Sequence, residues 1–286
     1  MKSNKAHQPK YLPLSSGYRA LYRDWGKGLP VVFLHGLMGN HRHWLGVMQG
    51  LKRDYRCIAV DLLGFGESSE PVGTCGIGEQ VAFVREIVQA LALDRCVLVG
   101  HSLGGWIAAE YSLLYQNEIA GLVLAAPAGI QDRAFNRHYL MRWPLTWDSN
   151  WIDWFLGIAS KVYEYLGHSD RLSILRLERK ALLAQSTARQ FVTARAFNQS
   201  NARPIEQALH QIRISALVIA AEQDTLIPQW CCEQYANSMP KAQLEILFNA
   251  SHRLPIDHWR EMLPLIQAFL ASLQDSKQTE PVDNDS

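Results

Sequence analysis

The stretch Cys96-Val97-Leu98-Val99-Gly100-His101-Ser102-Leu103-Gly104-Gly105 reads as a short buried strand that breaks directly into a helix running from Leu103 to Tyr115. Gly100 and Gly104 bracket Ser102 in a G-x-S-x-G pattern, which fits a sharp strand-to-helix turn. A serine at such a bend must take a strained backbone conformation. Only small residues two before and two after it let strand and helix approach closely enough. Its hydroxyl then projects above the sheet beside the free N–H groups of a helix N-terminus, where developing negative charge is favoured. A glycine-bracketed turn serine with no chemistry matches the same five residues, so the rest of the chain decides.

Outward from this turn, short apolar runs rich in β-branched residues recur at Val31–Leu34, Cys57–Val60, Leu122–Ala125, Leu217–Ala220 and Leu244–Leu247, with helical patterns between them. Strand–helix alternation of this kind implies an α/β fold: a mostly parallel sheet with helices on both faces. From Pro127 to about Ile214 the alternation stops, and the chain becomes helical and rich in Arg, Gln, Leu and aromatics. The expected organisation is a flexible N-terminal segment over 1–17, a core over 18–127 and 215–274, an inserted helical cap over 128–214, and a disordered polar tail over 275–286.

A serine hydroxyl is a poor nucleophile until a base takes its proton, and that base needs an acid to orient it. Asp224 follows the run ending at Ala220 in Ala-Glu-Gln-Asp-Thr-Leu-Ile-Pro, and His252 follows the run ending at Leu247 in Asn-Ala-Ser-His-Arg-Leu-Pro. Both fall past the carboxyl end of a strand, the rim where open α/β sheets form ligand crevices. Ser102, Asp224 and His252 are therefore the candidate nucleophile, acid and base. His101 and His258 are weaker candidates for the base and Asp132 for the acid, while Glu222 reads as a strand-end residue. At His35-Gly36-Leu37-Met38-Gly39, after the run at Val31–Leu34, glycines let the backbone turn over the sheet edge. The amides of Leu37 and Leu103 are the candidate oxyanion donors, each worth about 2.7–4 kcal/mol in such sites. His35 braces this loop; no second ligand accompanies it, so no metal site is read.

Together with Asp61-Leu62-Leu63-Gly64-Phe65-Gly66-Glu67-Ser68, a D-x-x-G-x-G-x-S loop whose glycines supply a tight turn, these landmarks resemble the α/β-hydrolase family from about Tyr18 to Leu273. The resemblance implies a catalytic triad, a nucleophile elbow and a cap domain. Ala125-Ala126-Pro127-Ala128-Gly129 and the following block look like the monoacylglycerol-lipase-like and carbon–carbon bond hydrolase branches. Serine at 102 disfavours haloalkane dehalogenation and epoxide hydrolysis, for which similar enzymes carry aspartate. A serine esterase or lipase acting on a carboxylic ester through an acyl-enzyme is the leading expectation, with no cofactor required. Carbon–carbon hydrolysis of a dienoate or diketone, and a ligand receptor or scaffold with little turnover, are the alternatives.

A chain of 286 residues with 48% hydrophobic content can bury a full core, and 28 Lys+Arg against 27 Asp+Glu leave a net charge of +1 that gives no pull toward nucleic acid. The five cysteines, at 57, 75, 96, 231 and 232, read as reduced thiols. With neither an apolar leader stretch nor an 18-residue apolar run, the expected location is cytoplasmic or peripheral to a membrane. In the cap, Trp147, Trp151, Trp154 and Ile158 fall at helical spacing with Trp143 and Phe155 nearby, and Arg171, Arg176, Arg179 and Lys180 follow. The aromatics suit docking of the cap, an acyl pocket or a membrane surface; the basic residues suit a solvated helix face or an anionic bilayer.

Overall fold

Eight strands form one sheet in the order β1-β2-β4-β3-β5-β6-β7-β8. They are β1 (Lys10–Pro13), β2 (Arg19–Trp25), β3 (Pro30–Leu34), β4 (Arg56–Val60), β5 (Cys96–His101), β6 (Ile119–Ala125), β7 (Ala216–Ala221) and β8 (Ala242–Leu247). The structure is a computed structural model, and it describes residues 8–131, 143–165, 171–196 and 204–278. β1 and β2 pair antiparallel, as do β2 and β4, and every later pairing is parallel. The central strands β5 and β7 are buried at every position, as unbroken runs such as Cys-Val-Leu-Val and Ala-Leu-Val-Ile demand once helices cover both faces. At the edge, β8 alternates half-buried and exposed residues, with Gln243 and Glu245 outward.

Among the described residues the helices are α1 (Leu45–Leu51), α2 (Ile77–Ala90), α3 (Leu103–Leu114), α4 (Asn150–Tyr165), α5 (Arg171–Leu183), α6 (Ser186–Ala196), α7 (Gln229–Ser238), α8 (Leu254–Asp257) and α9 (Trp259–Gln278). None among the described residues is long and apolar enough to cross a membrane. The chain forms two compact units, one of residues 1–69, 77–130 and 202–286, the other of 70–76 and 131–201.

Two expectations are corrected. The segment 1–17 is not wholly flexible, because Lys10–Pro13 pairs with Arg19–Tyr22 as an edge strand. It has the polar composition of an edge and no apolar run to announce it. The last helix continues through Gln278, past the expected start of the tail at Asp275. At the other end of the insertion, Ile205, Leu209 and Ile212 are buried. The Gln116 side chain there donates to the Gln211 carbonyl at 2.9 Å and accepts from the Arg213 amide at 2.8 Å, which ties this stretch to the first unit.

Within the second unit, Arg179 is fully buried rather than part of a solvated face. It holds both oxygens of Asp153 at 2.9 and 3.1 Å and the carbonyls of Leu145, Trp147 and Ser149 at 2.7–3.1 Å. Five donors in a planar fork let one arginine fix the turn before α4 and α4 itself to α5.

Candidate active site

β3 lies between β4 and β5, so strand order reverses at β3 and the loops leaving β3 and β5 diverge there. Leu34 and Gly100 face each other at the carboxyl ends of these strands. The loop after β3 carries His35-Gly36-Leu37, and the turn after β5 carries Ser102. The serine sits at φ 52°, ψ −113° immediately before α3, a left-handed conformation that L residues rarely take. A side chain at Gly100 would run into the Gly104 backbone, and one at Gly104 into the Leu34 carbonyl. These clashes explain the two bracketing glycines. A Cβ on Gly36 would stand 3.2 Å from Ser102 Cβ, so the β3 loop passes directly against the serine. Neither the Leu37 nor the Leu103 amide makes a backbone hydrogen bond among the described residues.

Asp224 lies in the turn after β7. Its Oδ1 accepts the amides of Leu226 and Ile227, both at 2.8 Å, and its Oδ2 lies 2.7 Å from Nδ1 of His252. A carboxylate only accepts, so Nδ1 of His252 carries the proton and Nε2 is left as the basic nitrogen. The Asp224 side chain is fully buried, whereas that of His252 is 16% exposed. The carboxylate is therefore fixed by two amides before it orients the ring.

His101, a weaker candidate for the base, is joined to this pair instead. Its Nε2 donates to the His252 carbonyl at 2.7 Å, and the two rings lie 4.8 Å apart. Burial, followed by the neighbouring His252, holds His101 well below the usual histidine range and thus neutral. His258 accepts the Ser251 amide at 3.3 Å, Glu222 accepts the Asn249 amide at 2.8 Å, and Asp132 lies outside the described residues.

His35 braces the loop as its position suggested. Nδ1 donates to the Gly36 carbonyl at 2.7 Å and Nε2 accepts the Leu62 amide at 3.0 Å. Burial pushes its pKa down to about 4. A second buried acid–histidine pair has no signature in the residue pattern: Asp61 Oδ1 takes both the amide and Nδ1 of His41, at 2.6 and 2.8 Å, while Oδ2 takes the Glu67 amide at 2.9 Å. Burial alone would raise the Asp61 carboxyl, but these hydrogen bonds bring it below its ordinary value. The pair locks the Gly64–Ser69 turn against the β3 loop. Among the described residues no group of His, Cys, Asp and Glu could hold a metal ion.

Residues 30–258 match the family model described as the alpha/beta hydrolase fold. The chain belongs to this family. A 2-hydroxy-6-oxo-2,4-heptadienoate hydrolase of Pseudomonas putida is 27% identical to this chain over 91% of the chain and 95% of the relative. Human monoacylglycerol lipase ABHD6 is 23% identical over 88% of the chain and 78% of its own. The crystal structure of a putative lipase from Acinetobacter baumannii superposes with a TM-score of 0.76 at 21% identity, covering 95% and 93% of the two chains. Proteins named as lipases and as a heptadienoate hydrolase are thus among those similar to this chain.

Proposed function

We propose that the protein hydrolyses carboxylic esters with an apolar acyl group through a serine acyl-enzyme. The observation that carries this reading is the Asp224–His252 hydrogen bond on the same sheet edge as the strained Ser102 turn. Ser102 Oγ attacks the ester carbonyl carbon while Nε2 of His252 takes its proton. The Leu37 and Leu103 amides hold the carbonyl oxygen as it becomes an oxyanion. The tetrahedral adduct collapses, the C–O bond to the alcohol breaks, and His252 returns the proton to the departing alcohol. Water, deprotonated by the same nitrogen, then attacks the acyl-serine, and Ser102 leaves with that proton. Asp224 stays ionised throughout and holds the imidazolium that forms at each step.

Labelling with a fluorophosphonate probe tests the mechanism: Ser102 is modified in the folded protein, and Ser102→Ala abolishes it. Intact, folded protein that resists the probe would sink the reading. The likeness to the heptadienoate hydrolase favours a second reading, cleavage of a carbon–carbon bond by the same residues. A series of p-nitrophenyl esters assayed beside a dienoate ring-cleavage product separates the two. The ester reading requires the larger kcat/KM on an ester.

A further inference from the structure

Helix α4 has two apolar faces. Ile152, Leu156 and Ser160 form its buried face. Trp151, Trp154, Phe155 and Ile158 lie almost opposite, on an arc of about 100° at 3.6 residues per turn. These four are 45–68% exposed. A helix packed on one side only carries charged and polar residues on this outer arc. Large aromatics here leave an apolar surface that water solvates poorly.

The border of the arc is basic. Lys161 is exposed and lies on the same side of α4 as Trp154, two turns further along. Arg176 of α5 reaches α4 at Gly157, where a Cβ would lie 3.6 Å from its Nη2. Lys180 follows one turn after Arg176, and Leu177 between them is 69% exposed. Asp153 is occupied by Arg179, and among the described residues Lys161, Arg176 and Lys180 form no ion pair. Arg176, Leu177 and Lys180 line a cleft of about 570 Å³ with Asp153 and Leu183.

We infer that this face is a docking surface for an anionic phospholipid bilayer. Trp151, Trp154, Phe155 and Ile158 enter the interfacial layer while Lys161, Arg176 and Lys180 meet the phosphates. Indole rings suit the boundary between apolar and wet layers, and three cations at one border, none in an ion pair among the described residues and with the nearby Asp153 carboxylate held by Arg179, match an anionic headgroup plane. The buried Arg179 fork holds the two helices, so little order has to be gained on docking. This surface does not depend on the esterase reading and stands if that reading fails.

The test uses the full chain carrying Ser102→Ala, with vesicles of ether-linked phosphatidylcholine, alone or with phosphatidylglycerol, so that hydrolysis cannot alter the lipid. Sedimentation is expected to show retention on the anionic vesicles, with tryptophan emission shifted to the blue. Trp154→Ala with Phe155→Ala should lower the partition coefficient by roughly tenfold or more. Arg176→Gln with Lys180→Gln should lower it by roughly tenfold on anionic vesicles and leave neutral ones unchanged. All four side chains are solvent-facing, and unchanged melting temperatures establish that the variants fold. Equal retention of parent and variants overturns the inference, as does absence of retention on anionic vesicles. A dimer in the ultracentrifuge that the aromatic substitutions dissociate, without vesicle binding, also overturns it in favour of a second copy of the chain.

Discussion

The two units treat their energetically unfavourable groups in opposite ways. In the first, two carboxylates and a histidine are taken out of water with their bonds supplied: Asp224 has two amides and a histidine, Asp61 has an amide, a histidine and a further amide, and His35 has a partner on each nitrogen. In the second, one guanidinium is buried with comparable care, while aromatic rings stand in water on α4. Satisfied buried polar groups fix a geometry, because each alternative position strands a donor or acceptor. Exposed apolar groups fix nothing within the chain and matter only against something outside it. One unit is thus built for precision at a rim and the other for presentation of a face.

The contrast breaks most visibly at Asp224. Asp224→Asn keeps the shape but offers His252 a different hydrogen-bond pattern and the wrong tautomer, so kcat on a p-nitrophenyl ester should fall by about 10⁴-fold. A variant within tenfold of the parent would remove Asp224 from its assigned role. Next in size, Arg179→Met strips α4 and the preceding turn of every bond the guanidinium makes. It should destabilise the second unit by about 3 kcal/mol. Trp143, Trp147, Trp151 and Trp154 all lie in that unit, among nine tryptophans in the chain. A separate, earlier fluorescence transition on heating is therefore expected, and a single unshifted transition would argue against it.

What could be read from the residues follows the same division. The central strands announce themselves because burial on both faces leaves unbroken apolar runs, and the observed β3 to β8 contain every run read as a strand. Gly100 and Gly104 were legible because a backbone contact that excludes a Cβ leaves only one residue type. β1 was not legible, since an edge strand tolerates Lys10 and Pro13 as a loop does. The roles of His41 and His101 were hidden for another reason. Their partners are 20 and 151 residues away, and a buried histidine looks like an exposed one until the fold brings its partner in. Arg179 was equally opaque beside Arg176 and Lys180, because only tertiary packing decides which of three neighbouring cations faces inward.

Proton linkage sharpens the description of the first unit. His35, buried and bonded on both nitrogens, has a pKa near 4 in the fold against 6.5 in its ordinary state. Between these values the unfolded chain takes up a proton that the folded chain refuses. Stability is therefore intact above about pH 6.5 and declines as pH falls toward 4, by up to about 3 kcal/mol for this one group. His101 is displaced in the same direction and adds to the slope. Urea unfolding of the parent and of His35→Asn at a series of pH values should show a shallower slope in the variant across this window. Equal slopes would mean that His35 titrates alike in both states.

The smallest expected effect tests whether precision in the first unit reaches beyond the Asp224–His252 pair. His101 gives its one proton to the His252 carbonyl, and its buried Nδ1 has no hydrogen-bond partner among the described residues; it lies beside Gly36, whose added Cβ would be 2.9 Å away. A ring placed there only to fill space could be phenylalanine at no loss. If it positions the base, His101→Phe releases the His252 backbone and moves Nε2 relative to Ser102, and displacements of about 1 Å at a reacting centre cost roughly 10²-fold in rate. The expectation is a fall in kcat of about that size with KM little changed, since no substrate contact is removed. His101→Gln, which keeps a donor for the carbonyl, should recover most of the loss. Phe and Gln variants of equal activity would show that His101 fills space and leave Asp224 as the only side chain fixing the base.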